Sequence, residues 1–138
     1  LINKKMNKQK KILVDMSASI IHHGHIRLLK KASKYGKVIV GLTTDSDLKK
    51  FKNFNTEIKF RHMAEILRSI KYVNKVIPSN YIINDKFIKK NNIDLVINGG
   101  DYKNRKFKVR SIYFNRTKNI SSSIIRKKAA INYEKSKK

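Results

Sequence analysis

The stretch KILVDMSASIIHHGHIRLLKKASKYGKVIVGL, Lys11 to Leu42, decides the fold. Lys11-Ile-Leu-Val-Asp15 and Lys37-Val-Ile-Val-Gly-Leu42 are apolar, β-branched runs closed by turn-prone residues, and both read as short buried strands. Between them a helix is expected over Ile26 to Tyr35. Ile26, Leu29 and Ala32, with Leu28 beside them, recur at helical spacing, while Arg27, Lys30, Lys31 and Lys34 face outward and Gly36 closes it. Strand, helix and strand in about thirty residues form a βαβ crossover, which requires parallel pairing.

The alternation continues downstream. Asp45 to Thr56 reads as a polar, irregular loop. A helix is expected over Glu57 to Tyr72, with Phe60, Met63, Ala64, Leu67 and Ile70 on one face. Lys75-Val-Ile-Pro78 is a third strand, ended by the only proline. A short helix from Asp85 to Asn91 leads to a fourth strand, Asp94-Leu-Val-Ile-Asn98, which runs into Gly99-Gly100. Val109 to Phe114 suits a fifth strand. Ser121-Ser122-Ser123 are good caps for a last helix, expected to fray after Ala130. There is no internal repeat. Strand and helix alternating throughout define the α/β class, with a mostly parallel sheet covered on both faces. Ligands in such sheets bind beyond the carboxyl ends of the strands, where residues 16–25, 43–56, 98–103 and 115–123 fall.

A chain of 138 residues, 40% hydrophobic, suffices for one domain with a modest core. Residues 11–130 form that domain, and residues 1–10 and 131–138 read as basic tails. No apolar run is long enough to cross a bilayer, and the basic N-terminus lacks the pattern of a secretory signal, so a soluble, cytoplasmic protein is expected. Without cysteine there is no disulfide and no thiolate metal site. The net charge of +25 attracts any polyanion, but the lysines are scattered and not gathered on a patch with interleaved aromatics, as an A- and T-rich gene would leave them.

Two stretches carry candidate chemistry. His22-His23-Gly24-His25 sets two imidazoles three residues apart at a strand-to-helix junction, suited to holding phosphate at a helix N-terminus. Arg116-Thr-Lys-Asn-Ile-Ser-Ser-Ser-Ile124 places a guanidinium, which grips phosphate bidentately, ahead of hydroxyls at another helix start.

Strand, His-x-Gly-His, helix, Thr43-Thr44-Asp45, Arg61 leading a helix that ends in Ile-Lys-Tyr-Val-Asn-Lys-Val-Ile-Pro78, then Arg116-Thr117 with Ile120-Ser121-Ser122, resembles the cytidylyltransferase superfamily over roughly residues 11 to 128. Within it the chain is most similar to the small bacterial glycerol-3-phosphate cytidylyltransferases. The expected fold is a Rossmann-like, doubly wound, five-stranded parallel sheet in a single domain. The resemblance implies transfer of CMP from CTP to a small phosphorylated alcohol or phosphonate, with release of pyrophosphate. His22 and His25 would donate to phosphate oxygens, Gly24 would let backbone and nucleotide approach, and Arg116, Thr117, Ser121 and Ser122 would hold the outer phosphates. Ser17 and Asp101 are further nucleotide-binding candidates. Arg61 and Asp45 are candidates for the acceptor. A loop lysine, Lys49, Lys50 or Lys52, with Lys50 preferred, would bind the acceptor phosphate or close over the triphosphate. Magnesium is expected on the triphosphate itself, and a homodimer as the assembly. His23 is expected at a wall or in solvent.

Two positions depart from the superfamily pattern. Ser19 stands where many members carry aspartate, leaving Asp15 as the carboxylate that could substitute, and Asn119 stands where glycine is usual. Asparagine tolerates the left-handed backbone that glycine would supply. Asn98-Gly-Gly-Asp-Tyr102 is similar instead to adenylyltransferases that activate heptose, so ATP with a sugar phosphate is the alternative substrate pair. A basic nucleic-acid-binding module with a vestigial pocket is the alternative of another class. Nucleic acid is not expected as a partner, because no RNA- or DNA-binding motif or aromatic stacking platform is present.

Overall fold

The computed structural model describes residues 9–53, 55–99 and 105–138. Its five strands are β1 (Lys11–Met16), β2 (Lys37–Thr43), β3 (Lys75–Ser79), β4 (Leu95–Asn98) and β5 (Arg110–Tyr113). They pair in parallel throughout, in the order β3-β2-β1-β4-β5. The first half of the chain thus builds the sheet outward on one side of β1 and the second half on the other. This reversal leaves a crevice beyond the ends of β1 and β4, where the strands finish at Met16 and Asn98. The fold is a Rossmann-like single α/β domain, as expected.

The apolar runs of β1 and β2 are buried on both faces because helices cover both. Ile12, Val14 and Met16 pack with Leu29 and Ala32 of α1 (His23–Ser33) and with Met63, Ala64 and Leu67 of α3 (Phe60–Arg68). On the opposite face Leu13, Ile39 and Val96 pack with Ile88 of α4 (Asp85–Lys90).

Four differences from the expected helices stand out. The loop expected over Asp45 to Thr56 contains a helix, α2 (Asp45–Lys52). Thr44 caps it by accepting from the Asp47 N–H, with two acids in its first turn and three lysines in its last, as the helix dipole favours. Helix α3 starts at Phe60, not Glu57, because the Asp45 carboxylate accepts the Phe60 N–H at 3.0 Å, and it closes at Ser69. Helix α1 begins three residues early because His22 is its cap. The last helix, α5 (Ser122–Ser136), does not fray after Ala130 but continues through most of the expected basic tail, with none of its residues buried. Among the described residues no helix is long and apolar enough to cross a membrane.

Candidate nucleotide-binding site

A cavity of about 340 Å³ opens at the switch point. Its walls include Asp15, Met16 and Ser17 from β1 and beyond, His22, Gly24 and His25 from the start of α1, Gly99 after β4, Arg116 and Thr117 after β5, and Ser121 and Ser122 at the start of α5. Both candidate motifs therefore face one space, though more than ninety residues separate them in sequence.

The two histidines cap α1 for each other. His22 Nδ1 accepts the Gly24 N–H at 3.1 Å, and His25 Nδ1 accepts the His22 N–H at 3.2 Å, closing a capping box with the rings 4.0 Å apart. A ring nitrogen that accepts from a peptide N–H carries no proton, so each neutral imidazole bears its hydrogen on Nε2. Burial, reinforced by the charge of His22, lowers His25 to about 4. His22 is lowered as well, by burial first, then by His23 and Arg116. Both rings are neutral donors at physiological pH. Gly24 has a reason the sequence did not give: a Cβ there would lie 2.8 Å from His22 Cε1, so the missing side chain makes room for the histidine itself.

At the second helix start Ser121 Oγ accepts the Ile124 N–H at 3.1 Å, and Ser122 Oγ donates to the Ile20 carbonyl at 3.5 Å. Asn119 takes the left-handed backbone, φ 64°, expected where glycine is usual. Ser17 is held differently. The Thr43 hydroxyl donates to the Met16 carbonyl at 3.1 Å, so Ser17 must donate to Thr43 Oγ1 at 2.9 Å, which leaves Ser17 Oγ as an acceptor.

Other expected site residues lie elsewhere. Lys50 does not line the cavity; its Nζ sits 5.3 Å from the Phe51 ring centre, and Lys52 lines the cavity instead. Asp45 accepts from Thr56 Oγ1 and from the Phe60 N–H, and Arg61 Nε donates to His62 Nε2 at 3.3 Å; neither borders the cavity. Asp101 lies outside the described residues. His23 is exposed, on the solvent side of the pair.

Two arrangements escaped the sequence. Arg126 lines the cavity and is gripped by Glu57, Nε to Oε2 at 2.8 Å and Nη2 to Oε1 at 3.0 Å, and also reaches Ser19 Oγ. These hydrogen bonds hold the Glu57 carboxyl down at about 2. Ser19, expected to leave a missing carboxylate, is thus a neutral acceptor for an arginine. The signal available was spacing, since Arg126 follows Ser122 by four residues and shares its helix face. The second arrangement is the pair of a buried Asp15 Oδ2 with the half-buried Arg105 Nη1 at 2.7 Å. Asp15 therefore orients neither histidine, and nothing in the sequence marks a partner so distant.

A switch-point cavity walled by two helix starts, two neutral imidazoles and several cations defines an α/β domain built to hold a phosphorylated nucleotide. The family model described as cytidylyltransferase-like matches residues 17–128. A glycerol-3-phosphate cytidylyltransferase of Bacillus spizizenii is 35% identical over 128 residues, covering 88% of this chain and 98% of that protein. The bifunctional protein HldE of Nitratiruptor is 32% identical over 109 residues, covering 76% of this chain but 24% of its own. A lipopolysaccharide core biosynthesis protein from Thermoplasma volcanium shares the fold, with a TM-score of 0.70 at 17% identity over 80% of this chain and 99% of its own. The chain belongs to the cytidylyltransferase-like family and is a nucleotidyltransferase.

Proposed function

We propose that this enzyme transfers CMP from CTP to a small phosphorylated alcohol of the glycerol-3-phosphate type, releasing pyrophosphate. An acceptor phosphate oxygen attacks the α-phosphorus in line, the bond to the pyrophosphate oxygen breaks, and the enzyme acts by positioning reactants and stabilising charge. His22 and His25 donate Nε2–H to the α-phosphate and bridging oxygens, where negative charge grows. Arg116, Thr117 and the start of α5 hold the β- and γ-phosphates, and Lys52 takes the role of the loop lysine. Arg61 and Asp45 lie outside the cavity, and Asp45 serves to hold the start of α3.

The mutual cap of the histidines carries this assignment, because it fixes both tautomers as donors before substrate arrives. CTP is favoured because the glycerol-3-phosphate cytidylyltransferase relative is matched along nearly its whole length, at 35% identity. Magnesium would be held through the triphosphate and water, supplying charge neutralisation. The cavity wall suits this, since its carboxylate Asp15 is paired with Arg105 while imidazoles, hydroxyls and cations face the space for phosphate oxygens. A cytoplasmic homodimer completes the proposal, with sedimentation as its check.

Pyrophosphate release from CTP or ATP, each paired with glycerol phosphate, choline phosphate, a phosphonate and heptose phosphate, tests the function. CTP with glycerol phosphate is expected to turn over fastest. Preference for ATP with heptose phosphate would replace it with the alternative suggested by Asn98-Gly-Gly-Asp-Tyr102.

A further inference from the structure

Asp15 is a buried carboxylate in the cavity wall that the chemistry above does not use. Its side chain is 5% exposed, and Arg105 Nη1 donates to its Oδ2 at 2.7 Å. The Arg105 guanidinium carbon rests 5.0 Å from the centre of the Phe107 ring, which steadies the pair. Oδ1 of the same carboxylate is buried and has no hydrogen-bond partner among the described residues. A carboxylate offers about four acceptor sites, and native interiors rarely leave such an oxygen unsatisfied.

We propose that Asp15 Oδ1 reads a hydroxyl of the bound substrate, accepting a hydrogen bond from it on the β1 side of the cavity. The inference rests on the assignment of this cavity to a nucleotide and a phosphorylated alcohol. Both carry phosphate at one end and hydroxyls elsewhere, and the cavity has the matching polarity. Arg116 and the helix starts serve the phosphates, while a carboxylate repels phosphate and so marks the neutral part of a ligand. Arg105 balances the charge of Asp15, which suits the pair to a dipolar O–H donor and not to a cation. The hydroxyl belongs either to the ribose or to the acceptor alcohol. Because β1 presents Asp15 on a central, doubly covered strand, the oxygen is fixed in place before the ligand binds, and this makes it a specificity residue for the transfer reaction.

Calorimetric titration of the full chain tests this without needing turnover. One ligand series is glycerol phosphate, propanediol phosphate and propyl phosphate; the other is CTP and its deoxyribose and dideoxyribose analogues. In the wild type, loss of the recognised hydroxyl is expected to weaken binding about tenfold in one series, which identifies the source. In Asp15→Asn the amide oxygen stays with Arg105 and the NH2 group replaces the acceptor, so that preference falls to within about twofold. A merely structural role would shift all ligands together and keep the ratio. If D15N does not melt like the wild type, the double variant Asp15→Ala with Arg105→Met removes both charges of the pair and is expected to lose the same preference. A wild-type ratio retained in the folded variant overturns the inference alone. Wild-type binding that ignores every hydroxyl does the same. No wild-type binding of either series overturns the inference together with the function it rests on.

Discussion

His25 Nδ1 accepts the peptide N–H of His22 at 3.2 Å, so the side chains that cap the helix also present Nε2–H donors to the cavity. The two demands do not compete. Capping uses Nδ1 of each ring and leaves Nε2–H for the ligand, and the cap defines which tautomer the ligand meets.

Alanine at either histidine should therefore fail twice. Loss of a donor to the transferring phosphate is expected to lower kcat by about 10²–10³-fold. Loss of the cap should also cost about 1 kcal/mol of stability, visible as a melting point lower by a few degrees. Steady-state kinetics beside thermal melts checks both, and near-normal turnover in both variants would remove the histidines from the mechanism.

Stability should fall in mild acid because of His25. Its folded value of about 4 lies below the ordinary 6.5, so between these values the unfolded chain binds more protons. The stability is present above about pH 6.5 and lost as pH falls toward 4, on the order of 2 kcal/mol. Urea midpoints at pH 7.5 and pH 5 measure it. His25→Asn, whose carbonyl can still accept the His22 N–H, should flatten the difference over this range.

The strands and the βαβ unit were legible because apolar β-branched runs bounded by turn residues survive any tertiary context that buries both sheet faces. Lys11 to Met16 and Lys37 to Thr43 differ from expectation by one residue each. Helix α2 was missed although Thr44 and Asp47 signal a cap, because its eight residues bury only Leu48 and show no apolar stripe. The two phosphate-suited helix starts were legible as local motifs. The Asp15–Arg105 and Glu57–Arg126 pairs were not, since a link across 90 or 69 residues exists only once the sheet has formed.

Gly24→Ala separates packing from propensity. Inside a helix alanine is favoured over glycine by about 1 kcal/mol, yet its Cβ would sit 2.8 Å from His22 Cε1 and displace that ring. Melting should change little while kcat falls at least about 30-fold, approaching the His22 variant. Thermal melts and kinetics on one preparation test this, and full activity would show that the ring has room to move.

Lys52 and Lys50 should differ sharply despite being neighbours on α2. Only Lys52 borders the cavity; Lys50 lies against Phe51. Lys52→Ala is expected to raise the KM of a phosphorylated substrate about tenfold, and Lys50→Ala less than twofold, in initial-rate measurements with each substrate varied. The reverse order would return the role to Lys50.

Glu57→Gln tests whether the grip on Arg126 matters to the cavity more than to the fold. The pair is partly exposed, 31% for Arg126 and 45% for Glu57, so solvent screening limits its stability contribution to about 1 kcal/mol or less. Because the folded carboxyl sits at about 2, below its ordinary 4.5, that contribution is present above about pH 4.5 and lost as pH falls toward 2. At neutral pH the melting point should hardly move. Arg126, however, loses its charged bidentate partner and keeps Ser19 as a neutral one, so its placement in the cavity loosens. We expect the KM for CTP to rise about threefold to tenfold at low salt, with the gap between variant and wild type narrowing as salt screens the wild-type pair. An unchanged KM at every ionic strength would assign the pair to the scaffold alone.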